Sequence, residues 1–177
     1  LLGRGAAVRV VVRDAAKGAA WSARGVEVAV ADLADADALA RAWDGVDGVY
    51  VLVPQVWDAA DPVAAAERYT HAIDRAARAA GVPHVVLLSS IAAHLPDGTG
   101  PIVTVGYAEA RLRSLPALTA VRAAYFLENW GMVLQAVRSD GVLPTFVARD
   151  RRTPTVSVVD VGRVAADNRI NGKFANT

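Results

Sequence analysis

The chain has 177 residues, with 19 basic and 18 acidic side chains and a formal net charge of +1. Nothing in that balance calls for nucleic acid or an anionic membrane as a partner. It has no cysteine, which excludes a disulfide framework, a cysteine zinc site and a thiol nucleophile, and fits a reducing, cytoplasmic setting. Hydrophobic residues make up 54%, largely Ala and Val, in runs too short to span a membrane.

Short β-branched runs alternate with longer Ala-rich stretches. The strand-like runs are Ala7–Val12, Val26–Val30, Gly48–Val53, His84–Ser89 and Ala117–Arg122. The first, third and fourth are almost continuously apolar, as parallel strands covered on both faces are. Between them the spacing predicts helices over Ala15–Ala23, Asp37–Trp43, Pro62–Ala80 and Thr104–Leu115. Asp61 followed by Pro62 reads as an N-cap with proline in the first turn, and Gly81 reads as the stop. Alternation of this kind predicts an α/β fold with a doubly wound parallel sheet. Beyond Arg122 the pattern loosens: Tyr125–Val137 reads as a helix, and Val156–Ala166 as a short strand leading into one. Residues 1–167 read as one domain. Residues 168–177 are Asn-rich and read as a disordered or loosely docked tail.

Six segments stand in one order. They are Val8-Arg-Val-Val-Val-Arg-Asp14, Gly25-Val-Glu-Val with Ala31-Asp-Leu-Ala-Asp35, Asp47-Gly-Val-Tyr-Val-Leu-Val-Pro54, Val85-Val-Leu-Leu-Ser-Ser90, Tyr107-Ala-Glu-Ala-Arg111 and Arg122-Ala-Ala-Tyr-Phe-Leu-Glu-Asn129. From about Val8 to Ala166 the chain resembles the NmrA-like branch of the atypical short-chain dehydrogenases/reductases. The resemblance implies a Rossmann-like fold that binds NADP or NAD. It also implies reductase activity on a quinone-like or other carbonyl small molecule. A non-catalytic dinucleotide sensor or oligomeric binding module is the alternative. The family's first strand and glycine-rich turn would precede Leu1, and its members continue past Ala166, so the chain reads as a truncated domain.

Candidate site residues follow from the resemblance. Arg13, at the end of the first strand, takes the position that reads the adenosine ribose. An Arg there favours a 2′-phosphate, hence NADP, and Lys17 adds a second cation. Asp32 and Leu33 flank the adenine, and Val53 and Pro54 border the middle of the cofactor. Ser89, Ala123 and Tyr125 line the nicotinamide end, with Phe126, Glu128 and Asn129 nearby. Ser89 and Tyr107 are candidates to polarise a carbonyl, with Arg111 in place of the lysine that lowers the phenol pKa. Tyr107 and Arg111 are four apart and share one helix face. His71, His84 and His94 have no metal-ligand spacing.

In this topology the absent first strand is central. Its loss leaves Ala7–Val12 and Gly48–Val53 with unpaired backbone groups, each costing roughly 1–3 kcal/mol if buried. The two strands close up and pair, or a strand from the tail or a second chain fills the gap, or the domain is marginally folded. Open edges favour association, so a homo-oligomer is expected, and NADPH is expected to bind the isolated chain weakly.

Overall fold

The computed structural model describes residues 1–145 and 147–170. Five parallel strands carry the fold: β1 (Arg9–Val12), β2 (Glu27–Val30), β3 (Val49–Leu52), β4 (Val85–Ser90) and β5 (Leu118–Ala123). They do not form one continuous sheet. β1 pairs only with β2, while β3, β4 and β5 form a second sheet in that order. Arg9 stands opposite Glu27, Val49 opposite Val85, and Val85 opposite Leu118. β1 and β3 therefore have not closed up. A third, two-stranded piece joins β6 (Tyr125–Phe126) to β7 (Thr155–Val156).

The helices are α1 (Ala19–Ser22), α2 (Ala36–Ala42), α3 (Pro62–Ala79), α4 (Ile102–Leu112), α5 (Leu134–Asp140) and α6 (Val158–Ile170). The Asp61 carboxylate accepts from Ala64 N at 3.0 Å, and Pro62 opens α3 where its missing N–H costs nothing. Gly81, at φ 60°, ends the helix in a conformation that a side chain would strain.

The main core lies between α2, α3, α4 and one face of the β3–β5 sheet. Leu39, Ile73, Leu87 and Leu112 are the largest of its fully buried members. β4, at the centre, is buried along most of its length. β3 buries Val49 and Val51 but exposes Tyr50 and Leu52, by 46% and 48%. One of its faces therefore has no helix over it.

Two expectations need correction. The stretch Ala15–Ala23 is a 3-10 turn (Ala15–Gly18) followed by the single turn of α1. A Cβ on Gly18 would stand 2.5 Å from Val28 Cγ1, so this connection crosses β2 too closely for a regular helix face with side chains. Tyr125–Val137 is not one helix. It begins as β6, continues as a 3-10 turn (Leu127–Val133) and then enters α5, because Tyr125 N donates to Pro154 O. Of the residues read as a tail, 168–170 continue α6, and Asn168 Nδ2 donates to Val164 O at 2.9 Å. Residues 171–177 lie outside the described residues.

Candidate active site

A cleft of about 830 Å³ separates the two sheets. Its walls are the facing strands, Val8 to Val11 on one side and Gly48 to Leu52 on the other. Leu39, Ala42 and Trp43 of α2 line it from below. At the carboxyl ends of the strands it opens onto Arg13, Asp32, Leu33, Pro54, Gln55 and Trp57. A crevice beyond the carboxyl ends of parallel strands is where open α/β sheets bind ligands.

Arg9 holds the two halves in place across the gap. Its guanidinium lies 2.7 Å from Glu27 Oε1 of β2, and Nη1 donates to the carbonyls of Ala42 and Asp44 at 2.9 Å each. These carbonyls end α2, where a cation also complements the helix dipole. The β1–β2 pair is thus tied to α2, and α2 packs on α3 beneath the other sheet.

Four of the residues expected around a dinucleotide meet in this cleft: Arg13, Asp32, Leu33 and Pro54. Arg13 is exposed, and among the described residues it makes no ion pair. Asp32 is shaped by its own turn, its Oδ1 accepting from Ala34 N at 2.8 Å. Val53 points into the core, 4% exposed, because the two-residue alternation of β3 puts it on the α2–α3 side with Val49 and Val51. Lys17 is exposed on the 3-10 turn and is not part of the cleft lining. Ser89, Ala123 and Tyr125 do not line it either.

The expected Ser-Tyr-Arg set is not brought together. The Ser89 hydroxyl donates to Glu109 Oε1 at 2.5 Å. Arg122 grips the same carboxylate with two bonds, Nε to Oε1 at 2.9 Å and Nη2 to Oε2 at 2.6 Å. The Tyr107 hydroxyl lies 2.9 Å from His71 Nε2, and Arg111 donates to Asp74 Oδ2 at 2.9 Å, both on α3. Thr104, Ala108 and Leu112 bury the central stripe of α4. Tyr107 and Glu109, two residues apart, fall on opposite flanks of that stripe. The flank toward Ser89 belongs to Glu109. Tyr107 and Arg111 share a face, as their spacing requires, but it is the face toward α3.

Burial alone would raise the Glu109 carboxyl pKa. The Arg122 and Ser89 hydrogen bonds and the charges of Arg122 and Arg113 outweigh it and hold the group below the usual carboxylate range. Glu128, expected near a nicotinamide, accepts from Val158 N at 3.1 Å and so caps the start of α6. Its own backbone N–H, that of Val158 and the Ser157 hydroxyl lower its pKa. Tyr125 packs its ring on Trp130, with centroids 5.4 Å apart. His84 Nε2 lies 3.0 Å from Thr119 Oγ1.

The residues that the sequence reading missed are Glu109, Arg122 as its partner, and Arg9. Glu109 was visible only as a carboxylate next to the buried stripe of an amphipathic helix. Arg9 was visible only as a lone charge in an apolar strand.

Parallel strands and a crevice at their carboxyl ends, with an arginine that makes no ion pair among the described residues on its rim, define an α/β domain of the ligand-binding open-sheet kind. The chain belongs to the NAD(P)H-binding family, which it matches over residues 1–167. It is similar to the NAD(P)H azoreductase of Xenophilus azovorans, 36% identical over 135 residues, which are 75% of this chain and 44% of that protein. The chain thus spans less than half the length of this curated relative. Among solved structures it resembles the NADPH-dependent quinone oxidoreductase of Escherichia coli complexed with NADPH. The TM-score is 0.78 and the identity 23%, covering 94% of this chain and 56% of that one. A nucleoside-diphosphate-sugar epimerase from Staphylococcus aureus matches with TM-score 0.79 and 21% identity over 93% and 57% of the two chains. At these identities the two structures establish the Rossmann-like fold. The resemblance to the atypical short-chain dehydrogenases/reductases agrees with them.

Proposed function

We propose that this chain supplies the adenosine half of an NADP(H) site in a reductase that acts on a quinone-like or other carbonyl small molecule, in the cytoplasm. The observation that carries the reading is Arg13. It is a guanidinium with no ion-pair partner among the described residues, at the carboxyl end of β1, on the rim of a crevice that also holds Asp32, Leu33 and Pro54. That donor set fits a phosphorylated adenosine: a planar fork for the 2′-phosphate, and a polar–apolar pair at the base. The cofactor, when bound, supplies a hydride, and the protein's part is orientation and exclusion of water. A family name of NAD(P)H-binding and a relative named as an azoreductase support reduction as the reaction type.

The fit is to one half of the cofactor. Among the described residues, no glycine-rich turn leads from a strand into a helix N-terminus at the cleft, so no backbone cradle for a pyrophosphate faces it. The test is a calorimetric titration with adenosine 2′,5′-bisphosphate and with adenosine 5′-phosphate, alongside NADPH oxidation assays with a small quinone. The 2′-phosphorylated fragment should bind more tightly, and Arg13→Ala should abolish the difference. Equal affinities would remove the NADP reading. A form that binds NADPH tightly yet reduces no quinone, azo or carbonyl acceptor would remove the reductase.

A further inference from the structure

We propose that a second cavity, on the far side of α4 from Tyr107's contact with α3, binds a small aromatic carboxylic acid, its carboxylate held by Arg113 and Arg122. The cavity measures about 420 Å³ and lies between the loop that follows β4, one flank of α4 and Arg122 of β5. It shares no lining residue with the cleft between the two sheets. Its size is that of a small-ligand site, which runs from about 300 to 1,000 Å³.

The charge of the lining comes first. Two guanidinium groups, Arg113 and Arg122, stand against one carboxylate, Glu109. That carboxylate is already matched: Arg122 reaches it with Nε and Nη2, and Ser89 donates to it from below. The double bond of contacts to Glu109 fixes the plane of the Arg122 fork, and Nη1 is not part of it. Arg113 follows Glu109 by one helical turn, at the end of α4. It is exposed, and among the described residues it makes no ion pair. One cationic charge is thus left over in the cavity. His94, on the loop, adds a ring nitrogen to the same lining. A planar fork with free N–H groups suits a carboxylate, which accepts two parallel bonds from it.

The rest of the lining is apolar. Val103, Gly106, Ala110 and Arg113 are three or four residues apart, so they form one row along α4 with the cation at its end. Leu95 and Pro96 of the loop complete the wall, and Leu95 is exposed. An inorganic anion would leave this wall uncovered, whereas an aromatic ring next to the carboxylate would cover it. The wall is also held in place. A Cβ on Gly106 would stand 2.6 Å from the Ala93 carbonyl oxygen, so helix and loop touch through backbone. Ala92 fixes the loop's turn at φ 67°. A cavity already formed loses less freedom when a ligand enters.

The test titrates the isotope-labelled chain with sodium benzoate and follows its amide resonances. No cofactor is present, so the outcome is separate from that of the reductase reading. Benzoate should bind saturably, with the largest shifts at Ala93, Gly106 and Ala110. Benzamide, which has the ring without the charge, and inorganic phosphate, which has charge without a ring, should each bind at least about tenfold more weakly. Arg113→Gln should weaken benzoate by about tenfold or more, its amide spectrum showing that it is folded. Arg113→Lys, which keeps the charge but not the fork, should fall between. The proposal fails if benzoate gives no saturable shift at millimolar concentrations, or if benzamide or phosphate binds as tightly. It fails equally if Arg113→Gln binds benzoate like the parent chain. Shifts confined to Arg13, Asp32 and Leu33 would put the acid in the cleft and overturn it as well.

Discussion

Arg122 closes both arms of its guanidinium on the Glu109 carboxylate, at 2.9 and 2.6 Å. This pair ties the carboxyl end of β5 to α4, and through the Ser89 hydroxyl it also ties the end of β4. The carboxylate is 6% exposed and the arginine 35%, so one partner is desolvated and the other is half in water. Removing the arginine from such a pair leaves a buried charge behind. The pair's significance lies in what its loss would uncover, more than in its net contribution.

Arg122→Ala should therefore destabilise the fold by about 3 kcal/mol, the low end for a broken buried pair because Arg122 is partly solvated. Urea unfolding at neutral pH measures this directly. Glu109→Gln, which keeps the Ser89 contact and removes the charge, should lose less. A double variant that costs no more than Arg122→Ala alone would show that the two act as a unit.

The same pair sets an acid limit. The folded-state pKa of Glu109 lies below the usual carboxylate range, so its contribution is fully present above the unfolded value of about 4.3. It is lost as pH falls through the lower, folded value. Stability should drop on acidification below about pH 4, and the drop should be shallower in Glu109→Gln. Equal slopes for the two proteins in denaturant titrations at stepped pH would contradict this.

The strands were legible in the sequence because β-branched runs such as Val8–Val12 and Val85–Leu88 have no competing periodicity. α3 was legible because Asp61-Pro62 and Gly81 mark its ends chemically. The site was only partly legible. Arg13, Asp32, Leu33 and Pro54 each follow a strand, and strand ends converge by topology alone, so chain order was enough to bring them together. Tyr107 and Arg111 were correctly paired by their spacing, yet spacing does not say which neighbour a helix face meets. That is settled by Thr104, Ala108 and Leu112 turning inward, a matter of tertiary packing. Arg9 was unreadable for a related reason: its partners, the Ala42 and Asp44 carbonyls, lie at the end of a helix more than thirty residues on.

Tyr107→Phe tests the placement of that tyrosine. Its hydroxyl is engaged with His71, which is exposed on α3. In a catalytically competent form the substitution should change kcat by less than about threefold, well short of the 10²–10⁴-fold a general acid supplies. A hundredfold loss of kcat, with unchanged unfolding, would return Tyr107 to the chemistry.

Gly106 permits the close approach of α4 to the loop after β4. A Cβ there would stand 2.6 Å from the Ala93 carbonyl oxygen. The obstacle is backbone, and the neighbouring Ala92 is already held at φ 67°, so the loop has little freedom to retreat. Gly106→Ala gains helix propensity of about 1 kcal/mol but incurs overpacking of typically 1–3 kcal/mol. The net effect should be destabilising. A thermal melt of Gly106→Ala at or above the wild-type midpoint would show that the loop yields.

In the proposed NADP(H) site the cofactor choice falls to Arg13. It stands at the end of β1 with no acidic side chain paired to it among the described residues, so its fork is available to an anion. Lys17, outside the cleft lining, is a weaker candidate for the same anion. Arg13→Asp reverses the charge at the position that the proposed site uses to tell a ribose hydroxyl from a ribose phosphate. In a form that binds dinucleotide, this should move the NADPH-to-NADH affinity ratio toward NADH by roughly 1–3 kcal/mol, the range for a charge-assisted hydrogen bond. Lys17→Ala should move it much less. The order matters more than the size: a ratio that shifts with Lys17 and ignores Arg13 would place the phosphate on the 3-10 turn, outside the crevice. A ratio that ignores both would leave the 2′-position unread by this edge of the cleft.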